Sequence, residues 1–306
     1  MKRFISFKFS LLFSAMALFV ASCTVFDPPV VVPAYGHIDS VHFTTFYDTQ
    51  GTASATIPTA WVYLDDNPVG AFQLPSTFPM VASNGVHNIK IYPGISAGDA
   101  SSAYNINPFY QYYSFNVNLQ QGVTTTFKPT STYYDWVIFK LMEDFDLPSE
   151  TTNLIPAHIK DYGGGGVKGA GSTTYMQVIS GPKVDVYQGG HSGMVVVTKA
   201  KPYYIGMTDP YLSLPTGSTP VYMEANYKAT TLVSIGMFES DTVTQISPII
   251  IYPTSTWSKF YYDMSTTISQ FQVNTSSYRV YFSMVLDSVD GHTSDTLLLD
   301  NIKIMY

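Results

Sequence analysis

Tyr278-Arg279-Val280-Tyr281-Phe282-Ser283-Met284, followed by Leu297-Leu298-Leu299-Asp300-Asn301-Ile302-Lys303-Ile304, are two short apolar runs separated by the polar turn Asp287-Ser288-Val289-Asp290-Gly291-His292. Reading backwards, the same form recurs at Trp257-Ser258-Lys259-Phe260-Tyr261-Tyr262-Asp263-Met264, Ile249-Ile250-Ile251-Tyr252, Leu232-Val233-Ser234-Ile235-Gly236 and Val221-Tyr222-Met223-Glu224-Ala225. Runs of strand length at regular spacing, with turn residues between them, predict a β-sandwich. No helical period lasts beyond a turn or two.

The first part of the chain carries the same signal. Ile38-Asp39-Ser40-Val41-His42-Phe43 alternates apolar and polar with period two, which predicts one half-buried strand. Trp61-Val62-Tyr63-Leu64 predicts a strand that turns at Asp65-Asp66-Asn67-Pro68 and resumes at Val69-Gly70-Ala71-Phe72. Tyr112-Tyr113-Ser114-Phe115-Asn116-Val117-Asn118-Leu119 and Thr124-Thr125-Thr126-Phe127 predict a closing hairpin around Gln121-Gly122. With 306 residues the chain exceeds what one sandwich needs, so two β-domains are expected, 34–133 and 134–306.

Composition agrees. Tyr (24) and Phe (19) are abundant, and charged residues are only 12% of the chain. This is a strand-and-turn composition, poor in helix formers. The formal charge is −7 and no Lys/Arg cluster occurs, so nothing directs the chain to nucleic acid or anionic lipid headgroups.

The N-terminus states a location. Met1-Lys2-Arg3 and Lys8 precede an apolar run from Phe9 to Ala21, which predicts a secretory signal peptide over 1–22. Val20-Ala21-Ser22-Cys23 resembles the bacterial lipobox, which implies acylation of Cys23, the one cysteine of the chain. Acyl chains stabilise membrane residence by about 0.8 kcal/mol per buried CH₂. Removal of 1–22 takes Lys2, Arg3 and Lys8 and no acid, leaving 12 basic against 22 acidic residues, a charge of −10. Residues 23–33, with Pro28-Pro29 and Pro33, predict an extended tether. The tether has no acidic run of the kind common in surface-exported lipoproteins of Bacteroidetes, which argues for a periplasm-facing position. The expected place is the cell envelope, on the outer membrane, at its periplasmic face or the cell surface.

Two resemblances sharpen the expectation. The order Trp61–Leu64, polar turn, Val69-Gly70, Leu74-Pro75, then Gly85-Val86-His87-Asn88-Ile89-Lys90-Ile91 closing on Pro93-Gly94 resembles the PEGA-type, immunoglobulin-like module of bacterial envelope proteins. In the second part, four pieces occur in register: Glu143-Asp144-Phe145, Gly190-His191-Ser192-Gly193, Thr256-Trp257-Ser258-Lys259-Phe260 and Leu299-Asp300-Asn301-Ile302-Lys303-Ile304. They resemble the galactose-binding-like jelly roll of carbohydrate-binding modules. Together the pieces resemble two-domain envelope lipoproteins of Bacteroidetes. The second resemblance implies a structural Ca²⁺, an ion that takes six to eight oxygens. The matching positions are Glu143 or Asp144, the backbone about His191 to Gly193, and Asp300. The plainer alternative is that Asp300-Asn301 forms a strand bulge and Glu143 is solvated. The resemblance also implies that Trp257 packs inside, and that exposed tyrosines, drawn from Tyr203, Tyr204, Tyr211, Tyr222, Tyr227 and Tyr252, stack on sugar rings. No single sugar-contacting residue is singled out.

Catalytic patterns are weak. Ser192 lies in His-Ser-Gly rather than Gly-x-Ser-x-Gly. Gly163-Gly164-Gly165-Gly166 is not followed by Gly-Lys-Ser/Thr and reads as a loop. Glu143 and Glu239 are acids with nothing to mark them as a glycosidase pair. His42 and His87 sit at strand positions without a metal-ligating neighbourhood. The expectation is therefore an all-β, non-enzymatic, lipid-anchored binding protein, for glycans or, alternatively, as an accessory that binds protein in an envelope complex.

Overall fold

The computed structural model describes residues 32–96, 104–146, 154–156, 172–181, 185–208, 212–239, 245–270 and 277–306. The signal peptide, Cys23, Gly163 to Gly166 and Tyr211 lie outside them. Among the described residues the chain is nearly all β, and no helix is long and apolar enough to cross a membrane.

The first ten strands are β1 (Ala34–Ile38), β2 (His42–Phe43), β3 (Thr59–Leu64), β4 (Asn67–Gln73), β5 (Ser76–Met80), β6 (Gly85–Ser96), β7 (Tyr104–Ile106), β8 (Tyr113–Leu119), β9 (Thr124–Phe127) and β10 (Thr130–Ser131), with one helical turn, α1 (Tyr47–Gln50), after β2. A three-stranded sheet β5-β1-β9 faces a sheet β4-β3-β6-β7, with β8 also on β6. Ile38, Val62, Phe78, Met80, Ile89, Ile91 and Leu119 fill the space between them. The turn after β3 is tight because Asp65 and Asp66 both take positive φ, 48° and 65°, which carries the chain back at Asn67. Two expectations are corrected here. Residues 38–43 are not one strand, since β1 ends at Ile38 and β2 begins at His42. Nor do β8 and β9 form a hairpin. β8 pairs with β6, while β9 runs parallel to β1 in the other sheet. The turn at Gln120 to Val123 crosses between sheets, because Leu119 and Phe127 both point into the shared core.

The remaining strands are β11 (Phe139–Glu143), β12 (Leu154–Pro156), β13 (Gln177–Ser180), β14 (His191–Thr198), β15 (Tyr203–Thr208), β16 (Leu212–Ser213), β17 (Tyr222–Ala229), β18 (Val233–Glu239), β19 (Gln245–Ile251), β20 (Ser258–Asp263), β21 (Ser277–Val285) and β22 (Ser294–Met305). A short helix, α2 (Ser265–Gln270), precedes β21. They form a jelly-roll sandwich. The front sheet is β13-β14-β22-β17-β20 with β11 on β22, and the back sheet is β12-β15-β21-β18-β19 with β16 on β21. The chain changes sheet at most connections, and every pairing is antiparallel. Alternate residues of the front sheet, including Val195, Met223, Ala225, Phe260, Leu297, Leu299 and Ile304, point inward to the main core. The other set points away from that core, and the first unit lies on part of it.

Candidate functional site

The outer face of the front sheet divides into a sealed part and an open part. In the sealed part, Glu224 on β17, Lys303 on β22 and Tyr261 on β20 are all buried, though strand alternation turns them away from the sandwich core. The first unit covers them. Glu224 accepts hydrogen bonds from the Tyr133 hydroxyl at 2.7 Å and the Tyr110 hydroxyl at 2.9 Å. The Lys259 ammonium lies 3.0 Å from the same carboxylate and donates to the Ser54 carbonyl at 2.6 Å. Lys303 donates to the Thr52 carbonyl at 2.6 Å and the Tyr133 hydroxyl at 3.2 Å, with its ammonium 4.8 Å from the Tyr133 ring centre. Tyr261 donates to the Thr56 carbonyl and receives the Thr56 N–H. Phe43, Phe109, Tyr110, Tyr133, Tyr261 and Met305 make an apolar cluster around this network, with Tyr222 packed against it.

The electrostatics follow from burial. Burial alone would raise the Glu224 carboxyl, but Lys259 and Lys303 outweigh it and hold the carboxyl below the usual range. Burial pushes the Lys303 ammonium down to about 8, against the pull of Glu224. Burial raises the Tyr110 and Tyr133 hydroxyls well above their ordinary value, and the neighbouring Glu224 charge adds to it.

The open part is small. Trp257 leads into β20 and is only partly buried, so it does not pack inside as the resemblance implies. The reason is register. Tyr227 pairs with Ser258 and is an inward residue, so Trp257 stands beside the outward Lys228. Its indole N–H donates to Asp185 at 2.8 Å, and the ring lies 5.3 Å from that of Tyr187, which is 39% exposed. Lys228 donates to the other Asp185 oxygen at 2.5 Å. That ammonium, with the indole, holds the Asp185 carboxyl below its usual range. Two rings in contact, flanked by an ion pair, make a platform with an apolar face and a polar edge.

The sequence-predicted calcium residues Glu143, Asp144, His191, Gly193 and Asp300 all lie among the described residues. Among the described residues no group of three or more His, Cys, Asp or Glu side chains is placed to hold a metal. Asp300 is fully buried and its oxygens take the Ser192 hydroxyl and the Asn301 N–H, both at 2.7 Å, with the Gln188 N–H at 3.4 Å. Glu143 is buried rather than solvated and accepts the Phe145 N–H at 2.7 Å. Asp144 accepts from Tyr47 of the first unit. The acid that meets the Gly190–His191 turn is Asp146, which receives the Gly190 N–H at 2.8 Å and pairs with His191 at 3.1 Å. These carboxylates are therefore engaged with N–H and O–H donors of the chain itself. The expected bulge is present one residue later, at Asn301-Ile302. Asp300 pairs with Asn226 and Lys303 with Glu224, so two residues of β22 oppose Ala225, and Asn301 takes a φ of 49°.

Gly193 has a packing role. A Cβ there would sit 2.6 Å from the Phe145 ring and 2.8 Å from the Met176 sulfur. Gly193→Ala is expected to lower stability by about 1.5 kcal/mol in urea denaturation, because the inward ring has nowhere to move.

Of the candidate tyrosines, Tyr204 and Tyr227 are buried, Tyr203 and Tyr222 are half-buried, the latter against Phe109, and Tyr252 is 55% exposed. Sequence reasoning missed Asp185, Tyr187 and Lys228. The only signal for them was a polar and aromatic cluster just before the Gly189-Gly190 turn.

No protein-family model and no curated protein matches the sequence. Solved structures similar to it include a family 11 carbohydrate-binding module of a cellulosomal cellulase from Clostridium thermocellum, at 15% identity over 55% of this chain and 94% of that one, TM-score 0.33. A family 61 module in complex with β-1,4-galactotriose shares 15% identity over 42% of this chain and 80% of that one, TM-score 0.29. The enzymatically active domain of a bacteriophage CBA120 tailspike protein shares 9% identity over 60% of this chain and 25% of that one, TM-score 0.34. These are distant likenesses of fold and carry no functional argument.

Proposed function

We propose that this chain is a non-catalytic, lipid-anchored glycan-binding protein. The observation that carries the reading is the Tyr187–Trp257 platform. Pyranose rings present apolar C–H faces that stack on aromatic rings, while a few polar groups fix their orientation. Here the ring pair supplies the face, and Asp185 and Lys228 supply an acceptor and a donor at its edge. The Asp185–Lys228 pair is internally neutral, which suits an uncharged sugar. Anchoring is supported by the lipobox at Val20 to Cys23.

The test is a polysaccharide panel presented to residues 24–306, read by isothermal titration calorimetry. Saturable binding to one glycan class, weakened at least tenfold by Trp257→Ala with an unchanged melting temperature, is expected. Equal binding by that variant, or no binding across the panel by folded protein, would overturn the reading. Protein docking would then come forward, and the exposed Leu232, Ile250 and Val285 of the back sheet offer a surface for it. Anchoring has a separate check. Cys23→Ala, expressed as the full chain in a bacterial host, is expected to move the protein from the membrane to the soluble fraction.

A further inference from the structure

The first unit carries an aromatic face of its own, on the outer side of the sheet that holds β3, β6 and β8. Val62, Leu64, Ile89 and Ile91 point into the core, so strand alternation turns Tyr63, Lys90 and Tyr92 outward. On β8, Phe115 and Val117 are the inward set, which turns Ser114 and Asn116 out. The outward rings meet across strands. Tyr63 stands edge-on to Tyr92 with ring centres 5.3 Å apart, and Tyr92 lies 4.8 Å from Tyr112 with the planes tilted by 33°. Tyr112 is 40% exposed. The Lys90 ammonium lies 5.9 Å from the Tyr112 ring centre and pairs with Asp66. Ser114 stands opposite Lys90, and Asn116 stands opposite Asn88, whose amide donates to the Asn116 side-chain oxygen at 3.0 Å. Ser114 and Asn116 are both exposed.

Resting on the glycan-binding reading, we infer that this outer face of β3, β6 and β8 is a second glycan-binding surface, separate from the Tyr187–Trp257 platform, and that it takes uncharged sugars. Ring pairs across strands also stabilise a sheet, so the rings alone do not mark a site. What marks this one is the row beside them. The tyrosine rings offer a surface on which sugar C–H faces stack. Ser114 and Asn116 each carry both a donor and an acceptor, which matches sugar hydroxyls that donate and accept. The Lys90–Asp66 pair is internally neutral, so it adds a donor and an acceptor without favouring a charged ligand.

The experiment uses residues 24–306 with the platform removed. Trp257→Ala protein is titrated by calorimetry with whichever polysaccharide of the panel binds the wild type. Weaker saturable binding is expected to remain, and adding Tyr112→Ala should weaken it at least a further tenfold. Asn116→Ala, at an exposed position, should weaken it at least threefold with the melting temperature unchanged. Loss of all binding with Trp257→Ala alone would overturn the second face while leaving glycan binding at the platform standing. Residual binding that neither Tyr112→Ala nor Asn116→Ala weakens would overturn it too. If Trp257→Ala binds as tightly as wild type, the platform falls, and this face stands only if Tyr112→Ala removes the binding. If the wild type binds no glycan of the panel, the glycan reading falls and takes this face with it.

Discussion

Replacing Glu224 with alanine is expected to destabilise the protein by about 4 kcal/mol, measured by urea denaturation at pH 6. Glu224 pairs with the buried Lys259 ammonium at 3.0 Å and also feels the charge of the buried Lys303 ammonium. It is also the acceptor for the Tyr110 and Tyr133 hydroxyls. Alanine leaves two cations and two hydroxyls buried without that partner. The cost is the desolvation of those groups, not the net value of the ion pair. Glu224→Gln separates the parts, since it keeps an acceptor for the tyrosines and loses the charge. It should fall between wild type and alanine. The sign of the pH effect follows from the lysines. Burial already holds Lys303 near 8, below the value near 10.4 of an unfolded lysine. Loss of Glu224 lowers both lysines further. Between the folded and unfolded values the unfolded chain binds more protons, so stability rises with pH across that window. The alanine penalty should therefore shrink between pH 6 and pH 9. A penalty under 1 kcal/mol, or one that is the same at both values, would show that the seam does not hold these charges as described.

That seam explains why the fold was legible in the sequence and the site was not. The period-two runs and their turns located the strands, because inward residues such as Val280, Phe282 and Met284 repeat on a sheet whatever covers its other side. The outward residues carry no such signal. Glu224, Lys259 and Lys303 occupy the polar positions of their strands and read as solvent-facing. They are buried only because a second unit, far away in sequence, brings Thr52, Ser54, Tyr110 and Tyr133 onto that face. Trp257 misleads in the opposite way. The resemblance implied a core position for it, but whether it faces in or out depends on register against β17, which a single strand does not encode. The Asp300-Asn301 pair was visible as a special point. The hydrogen bonds that Asp300 makes beside the bulge depended on where Ser192 and Gln188 fall in the fold.

Asp300 gives the second large effect, a pH dependence of opposite sign. Its carboxyl is fully buried, and burial pushes it up to about 7 despite three donors, with Asp146 nearby adding to the rise. In the unfolded chain it ionises near 3.9. Between these values the folded protein holds a proton that the unfolded chain has lost, so stability is greatest at the acid end and declines as pH rises toward 7. At about 1.4 kcal/mol per unit up to the folded value near 7, the decline between pH 5 and pH 8 is about 2.5 kcal/mol. Asp300→Asn cannot titrate. Its oxygen can keep the Asn301 N–H, and its amide can donate to the Ser192 hydroxyl, so the bulge is retained. Relative to wild type, the variant should gain about 2.5 kcal/mol between pH 5 and pH 8 in parallel denaturation series. Parallel profiles would mean that Asp300 is already ionised in the folded protein. The same series decides the calcium question. A cation bound to Asp300 would favour the ionised carboxylate and flatten the wild-type decline. Profiles in millimolar Ca²⁺ and in chelator that coincide would exclude a calcium ion on Asp300, and a flatter profile in Ca²⁺ would place one there.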